Sequence, residues 1–143
     1  MDSQKSLWGD LSNTAIFRTP FTILKEQAAV LSQQTKGLLV GEVKRYQDEN
    51  EDISLSLHVV APSLGHYRYE VVQVYYGITI YPLNVRSMAT EHPPKPCHSE
   101  QEFEQALGEI LSSLQVKKVI SALLSDIHAS STYDTTNEFD IPF

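Results

Sequence analysis

The stretch from residue 53 to 61 constrains the fold of this chain more than any other. Ile53, Leu55, Leu57, Val59 and Ala61 alternate with Ser54, Ser56 and His58. Period-two alternation sends successive side chains to opposite sides of an extended backbone, so the pattern predicts a strand with one apolar and one polar face. Such a strand has to bury its apolar row, which commits the chain to a sheet covered on one side. Residues 38–46 read as a preceding strand, joined by the acidic turn Gln47-Asp48-Glu49-Asn50-Glu51-Asp52. After Pro62-Ser63-Leu64-Gly65, residues 67–76 read as a third strand rich in Tyr and Val. Gly77 interrupts it, and Ile78-Thr79-Ile80-Tyr81, closed by Pro82, is predicted as a fourth. Connections this short predict antiparallel neighbours, a four-stranded meander.

Helices flank the strands. Thr19 is a capping residue and Pro20 suits the first helical position, where no amide hydrogen is needed. Phe21, Leu24, Ala28 and Leu31 follow at helical spacing, and Gly37 is predicted as the terminating residue. Beyond a proline-rich loop from Glu91 to His98, Ser99-Glu100-Gln101-Glu102 has the form of a capping box. Phe103, Leu107, Ile110, Leu111 and Leu114 form one apolar stripe. A break near Ser113 to Gln115 leads to a last amphipathic stretch with Val119, Ile120, Leu123, Leu124 and Ile127.

The predicted class is therefore α+β: an N-terminal helix, a four-stranded antiparallel meander, two C-terminal helices and a flexible C-terminal tail. Residues 1–18 are expected to be a loosely ordered arm whose Trp8 packs onto the domain or onto a partner, packing being the more common outcome for a lone Trp, with 19–127 a single domain and 128–143 a tether. As a flexible coil that tether has a root-mean-square reach of roughly 20–24 Å.

Composition narrows the function. A chain of 143 residues with 41% hydrophobic and 20% charged side chains supports one domain with a real core. Neither a run of eighteen apolar residues nor a basic-then-apolar leader occurs, so no membrane span or export is expected. Cys97 is the only cysteine, which excludes an intrachain disulfide and fits a reducing cytoplasm. The net charge is −7, and −4 remains when residues after Ile127 are set aside. A compact basic domain gripping phosphates is not indicated.

Signals for catalysis are thin. The six glycines are dispersed, with no phosphate-cradling loop and no Gly-x-Ser-x-Gly elbow. Cys97 and His98 are neighbours whose side chains point apart in extended backbone, which argues against a nucleophile–base pair. His92 and His98 flank the proline-rich loop and would need a third ligand to hold a metal. Glu100, Glu102, Glu104 and Glu109 read as a solvated helix face. No catalytic residue, metal or cofactor is expected. The aromatic residues are more suggestive. Strand parity puts Tyr67, Tyr69 and Tyr75 on one face, with Arg68 and Tyr76 on the other. With Tyr81, Tyr46, Lys44, Arg45 and Arg86 nearby, they are candidates for binding single-stranded nucleic acid, where bases stack on rings and cations track phosphates. Against this stands the ordinary preference of Tyr for strands.

The last residues are Asn137-Glu138-Phe139-Asp140-Ile141-Pro142-Phe143. Phe143 is a large apolar anchor on few rotatable bonds, and Pro142 biases Ile141 towards an extended conformation. Glu138 and Asp140 steer the segment to a basic surface, and Phe139 is a second anchor. The segment resembles the acidic C-terminal tip of bacterial single-stranded DNA-binding proteins, over about six residues. In that family the tip docks on enzymes of DNA replication, recombination and repair. The resemblance implies partner proteins with an apolar socket rimmed by Arg or Lys, contacted by Glu138, Phe139, Asp140, Ile141, Pro142 and Phe143. The strand order does not resemble that family's barrel. The expected function is thus an accessory protein of bacterial, phage or mobile-element DNA metabolism. The alternatives are a single-strand binder of another fold, contacting DNA directly, and a chaperone- or immunity-like interaction module. A homo-oligomer would raise the avidity of the tips.

Overall fold

The computed structural model describes residues 5–50 and 52–137. Helix α1 spans Pro20–Gln34 and is followed by strands β1 (Val40–Gln47), β2 (Ile53–Ala61), β3 (Tyr67–Tyr76), β4 (Leu83–Ser87) and β5 (Lys95–Cys97). Helices α2 (Glu100–Leu111) and α3 (Leu114–Asn137) complete the order, with short 3-10 turns at Leu11–Asn13 and Pro62–Leu64. All five strands pair antiparallel in the order β1-β2-β3-β4-β5. The α+β class holds, with five strands in place of four.

Three differences from the sequence reading have local causes. Residues 78–81 are a turn rather than a strand: Ile80 N–H bonds the Gly77 carbonyl at 2.9 Å and Tyr81 N–H the Thr79 carbonyl at 2.8 Å. Those amides are spent locally, and the ladder starts at Leu83, after the cis Tyr81–Pro82 bond. The fifth strand lies inside the proline-rich segment, where Pro96 sits opposite Asn84 on the sheet edge and has no ladder partner to disappoint on its outer side. At the other end, α3 runs through 128–137, where a tether was expected. Nothing in that segment is a Gly or Pro, so a helix already propagating from packed turns meets no stop. Leu114 belongs to α3, not to the stripe of α2, and is 65% exposed.

The caps follow sequence more closely. Thr19 Oγ1 accepts from Thr22 N–H at 3.2 Å, and Ser99 Oγ from Glu102 N–H at 3.2 Å. The returning bond of the second cap shifts by one residue: Glu102 accepts from His98 N–H at 2.8 Å. The core forms between the helices and one sheet face, from Ile23 and Leu24 of α1, Leu55, Leu57 and Val59 of β2, Val72 and Val74 of β3, Val85 of β4, Phe103 and Leu107 of α2, and Val116 of α3. Gly41 admits α1 closely onto β1: a Cβ there would meet Ala28 Cα at 2.4 Å.

Candidate functional site

The face of the sheet away from the helices is a polar surface, and its rows can be read from the strand register. Glu42 of β1 lies opposite His58 of β2, which lies opposite Glu70 of β3. The next row is Lys44, Ser56, Gln73 and Arg86; the one after is Tyr46, Ser54, Tyr75 and Asn84. Between Leu57 and His58 the pairing of β2 with β3 skips a residue: His58 faces Glu70, but Leu57 faces Val72. Val71 is the extra residue, and both Val71 and Val72 are buried. Such a bulge reverses the parity of the strand beyond it.

That reversal divides the predicted aromatic constellation. Tyr67 and Tyr69, before the bulge, lie with the core side and line a groove of about 660 Å3 with Leu64, Val119, Leu123 and Asp126. Tyr75, beyond it, lies on the polar face, where its hydroxyl bonds Gln73. The expectation that Tyr67, Tyr69 and Tyr75 share one face is therefore corrected. Arg68 is on the polar face and forms an ion pair with Glu42, which also lies 3.7 Å from Lys44 Nζ. Tyr81 is half-buried, its ring 6.3 Å from that of Phe17, and burial with the nearby Glu100 carboxylate pushes its phenol up. The structure does not bring Tyr67, Arg68, Tyr69, Tyr75 and Tyr81 together.

The electrostatics of the polar face are mixed. Ser56 Oγ donates to Glu70 at 2.7 Å and Gln73 Nε2 donates to the same carboxylate at 2.9 Å. Two of the three cations, Lys44 and Arg68, face Glu42; Arg86 has no ion pair among the described residues. A surface on which cations are matched to carboxylates has little left to track phosphates. His58 Nδ1 is buried without a hydrogen-bond partner. Desolvation holds its imidazole below the usual range; Glu70 opposes the shift and Lys44 adds to it. At the end of the face, Tyr46, Ser54, Tyr75 and Asn84 open onto a pocket of about 390 Å3 rimmed by Asp48 and Asp52. Ser54, Asn84 and the two aspartates escape a reading of sequence because cross-strand register, not spacing, unites them.

Other candidates resolve into structural roles. Cys97 is fully buried, and desolvation raises its thiol above the usual range. His98 turns to Glu102, 3.2 Å from Nδ1, so Cys97 and His98 form no pair. His92 Nδ1 lies 3.0 Å from Thr90 Oγ1. Among the described residues, no group of three or more His, Cys, Asp and Glu is placed to hold a metal ion, and no helix is long and apolar enough to cross a membrane. The docking segment, residues 138–143, lies outside the described residues. The chain matches no protein-family model, no curated protein and no solved structure.

Proposed function

We propose that this chain is an accessory protein of bacterial, phage or mobile-element DNA metabolism. It docks through Asp140-Ile141-Pro142-Phe143 on enzymes that receive the tips of single-stranded DNA-binding proteins. The observation that carries the reading is the sequence of that segment, an acidic residue before Ile-Pro-Phe, which suits capture in an apolar socket with a cationic rim.

The domain has less support as the strand-binding element, because Lys44 and Arg68 are matched to Glu42 and the aromatic residues are split between faces. The reading is tested by titrating the full chain against a purified replication or repair enzyme that accepts such tips. Phe143→Ala is expected to weaken binding by roughly 30-fold or more, the loss typical of a central aromatic anchor. A single-stranded DNA-binding protein tip peptide is expected to compete. Unchanged affinity of the variant, together with failure of the peptide to compete, overturns the proposal.

A further inference from the structure

The two edges of the sheet are finished differently. β5, at one edge, is three residues long and carries Pro96, and short strands and prolines are devices that discourage further pairing. β1, at the other, runs for eight residues without a proline, and its register against β2 is unbroken from Val40 to Gln47. None of those eight residues is buried. The N-terminal arm does not fill this edge: it forms no strand among the described residues, and its Trp8 is 80% exposed rather than packed on the domain.

The hairpin shows which backbone groups of β1 are left over. Asp48 N–H bonds the Asp52 carbonyl at 3.0 Å, and these two residues continue the β1–β2 register by the same count. Bonded and non-bonded pairs alternate along an antiparallel ladder, so Tyr46, Lys44, Glu42 and Val40 spend their N–H and C=O on β2. Gly41, Val43, Arg45 and Gln47 direct theirs outward. Leu39, the outward residue before them, is already engaged: the Thr35 hydroxyl accepts from its N–H at 3.1 Å and donates to its C=O at 3.0 Å. The open stretch therefore begins at Gly41.

We propose that β1 pairs with β1 of a second copy, antiparallel about a two-fold axis at Val43, joining the two sheets into one. Opposed residues of an antiparallel pair both point their backbone groups across the gap or both point them away. A strand therefore meets its own copy only where residues of like parity face each other, and charge separates those registers. An axis at Glu42 or at Lys44 sets like charges face to face at the close spacing of a non-bonded pair. An axis at Arg45 sets that residue against itself, and one at Gly41 sets Val43 against Leu39, whose groups Thr35 holds. An axis at Val43 places Glu42 of each copy opposite Lys44 of the other and Tyr46 opposite Val40. Gly41 and Arg45 then exchange main-chain bonds, and with the Val43 pair about six such bonds close the seam. In the single chain Glu42 pairs with Arg68 while Lys44 Nζ stands 3.7 Å away, which leaves Lys44 able to take a second carboxylate. The seam is independent of the tail and of its proposed docking.

The full chain is followed across a dilution series by sedimentation and by amide hydrogen exchange. A dimer is expected at high concentration, with the Gly41, Val43 and Arg45 amides protected there and exchanging freely on dilution. The Glu42 and Lys44 amides, bonded to β2, are expected to stay protected throughout. Glu42→Lys and Lys44→Glu each set like charges face to face at both pairs, and each is expected to weaken the dimer by about 10-fold or more. Mixed in equal amounts, the two variants again oppose Lys to Glu at both pairs and are expected to regain the dimer, which chains that had merely unfolded could not do. A monomer at every concentration overturns the proposal. So does a dimer whose Gly41, Val43 and Arg45 amides exchange freely, or mixed variants that fail to associate. Protection of those amides only when another protein is added assigns the edge to a foreign strand and overturns it as well.

Discussion

Gly41 of β1 lies directly beneath Ala28 of α1, so closely that a single added carbon would meet Ala28 Cα at 2.4 Å and its Cβ at 2.5 Å. The contact sets how far α1 sinks onto the sheet. Both neighbours are constrained: backbone atoms of a packed helix cannot swing aside like the end of a flexible side chain. Gly41→Ala is expected to destabilise the domain by about 1–3 kcal/mol, the usual cost of overfilling a packed site, read as a lowered midpoint in urea at unchanged slope. Ala28→Gly in the same chain is not expected to recover that loss, because the Ala28 Cα at 2.4 Å and its carbonyl oxygen at 3.0 Å remain in place.

The bulge at Val71 makes a prediction that strict alternation contradicts. If β3 ran without interruption, one of Val71 and Val72 would face water and tolerate truncation. Both are buried, at 1% and 0% exposure. Val71→Ala and Val72→Ala are therefore each expected to cost on the order of 2 kcal/mol. Chemical denaturation of the two variants side by side is the check, and a near-neutral Val71→Ala would remove the bulge from the account.

His58 gives the domain a pH response. Its folded imidazole is held below the usual range, first by desolvation and further by Lys44, with Glu70 opposing; Glu42 lies opposite on β1. A depressed folded value means the unfolded chain takes up the proton first. The contribution of neutral His58 is therefore complete above pH ~6.5, the ordinary histidine value, and is lost as pH falls below it. A thermal melt series from neutral to mildly acid pH is expected to show a decline that is smaller in His58→Gln.

Arg18 ties the arm's end to α1 and α2, bonding Glu26, Glu100 and Glu104. Its hydrogen bonds hold the Glu26 carboxyl below the usual carboxylate range. A lowered folded value gives stability that is present above the unfolded carboxylate range and lost as pH falls through the folded one. Because the group is exposed, the effect is small and screened by salt. Arg18→Gln is expected to lower the melting temperature slightly at neutral pH and low salt, with the difference from wild type vanishing in acid and in molar salt.

Sequence made several elements legible because their signals are local. The bounds of residues 53–61 and 67–76, the Thr19 cap and the Ser99 cap rest on alternation and on hydroxyls at helix starts, and the structure repeats them. The remainder depended on partners far along the chain. Ile78 to Tyr81 has strand composition, yet its amides close a turn. Lys95 to Cys97 has proline composition, yet edge pairing with β4 tolerates it. The Tyr face failed for one reason: parity counts residues, and an extra residue at Val71 resets the count. The adjacent pair Val71-Val72 in an otherwise alternating strand was the available signal.

The passage of α3 beyond Ile127 has a mechanical consequence. Residues 128–131 are exposed, so no burial there adds to the hydrogen bonds of the backbone. A short helical stretch to which burial adds little sits near the balance point between helix and coil, where a short helix gains little by forming. The length of these four residues is therefore adjustable: about 6 Å when wound and up to about 13–14 Å when drawn out. Heat, tension or a bound partner can lengthen them while the core contacts up to Ile127 stay in place.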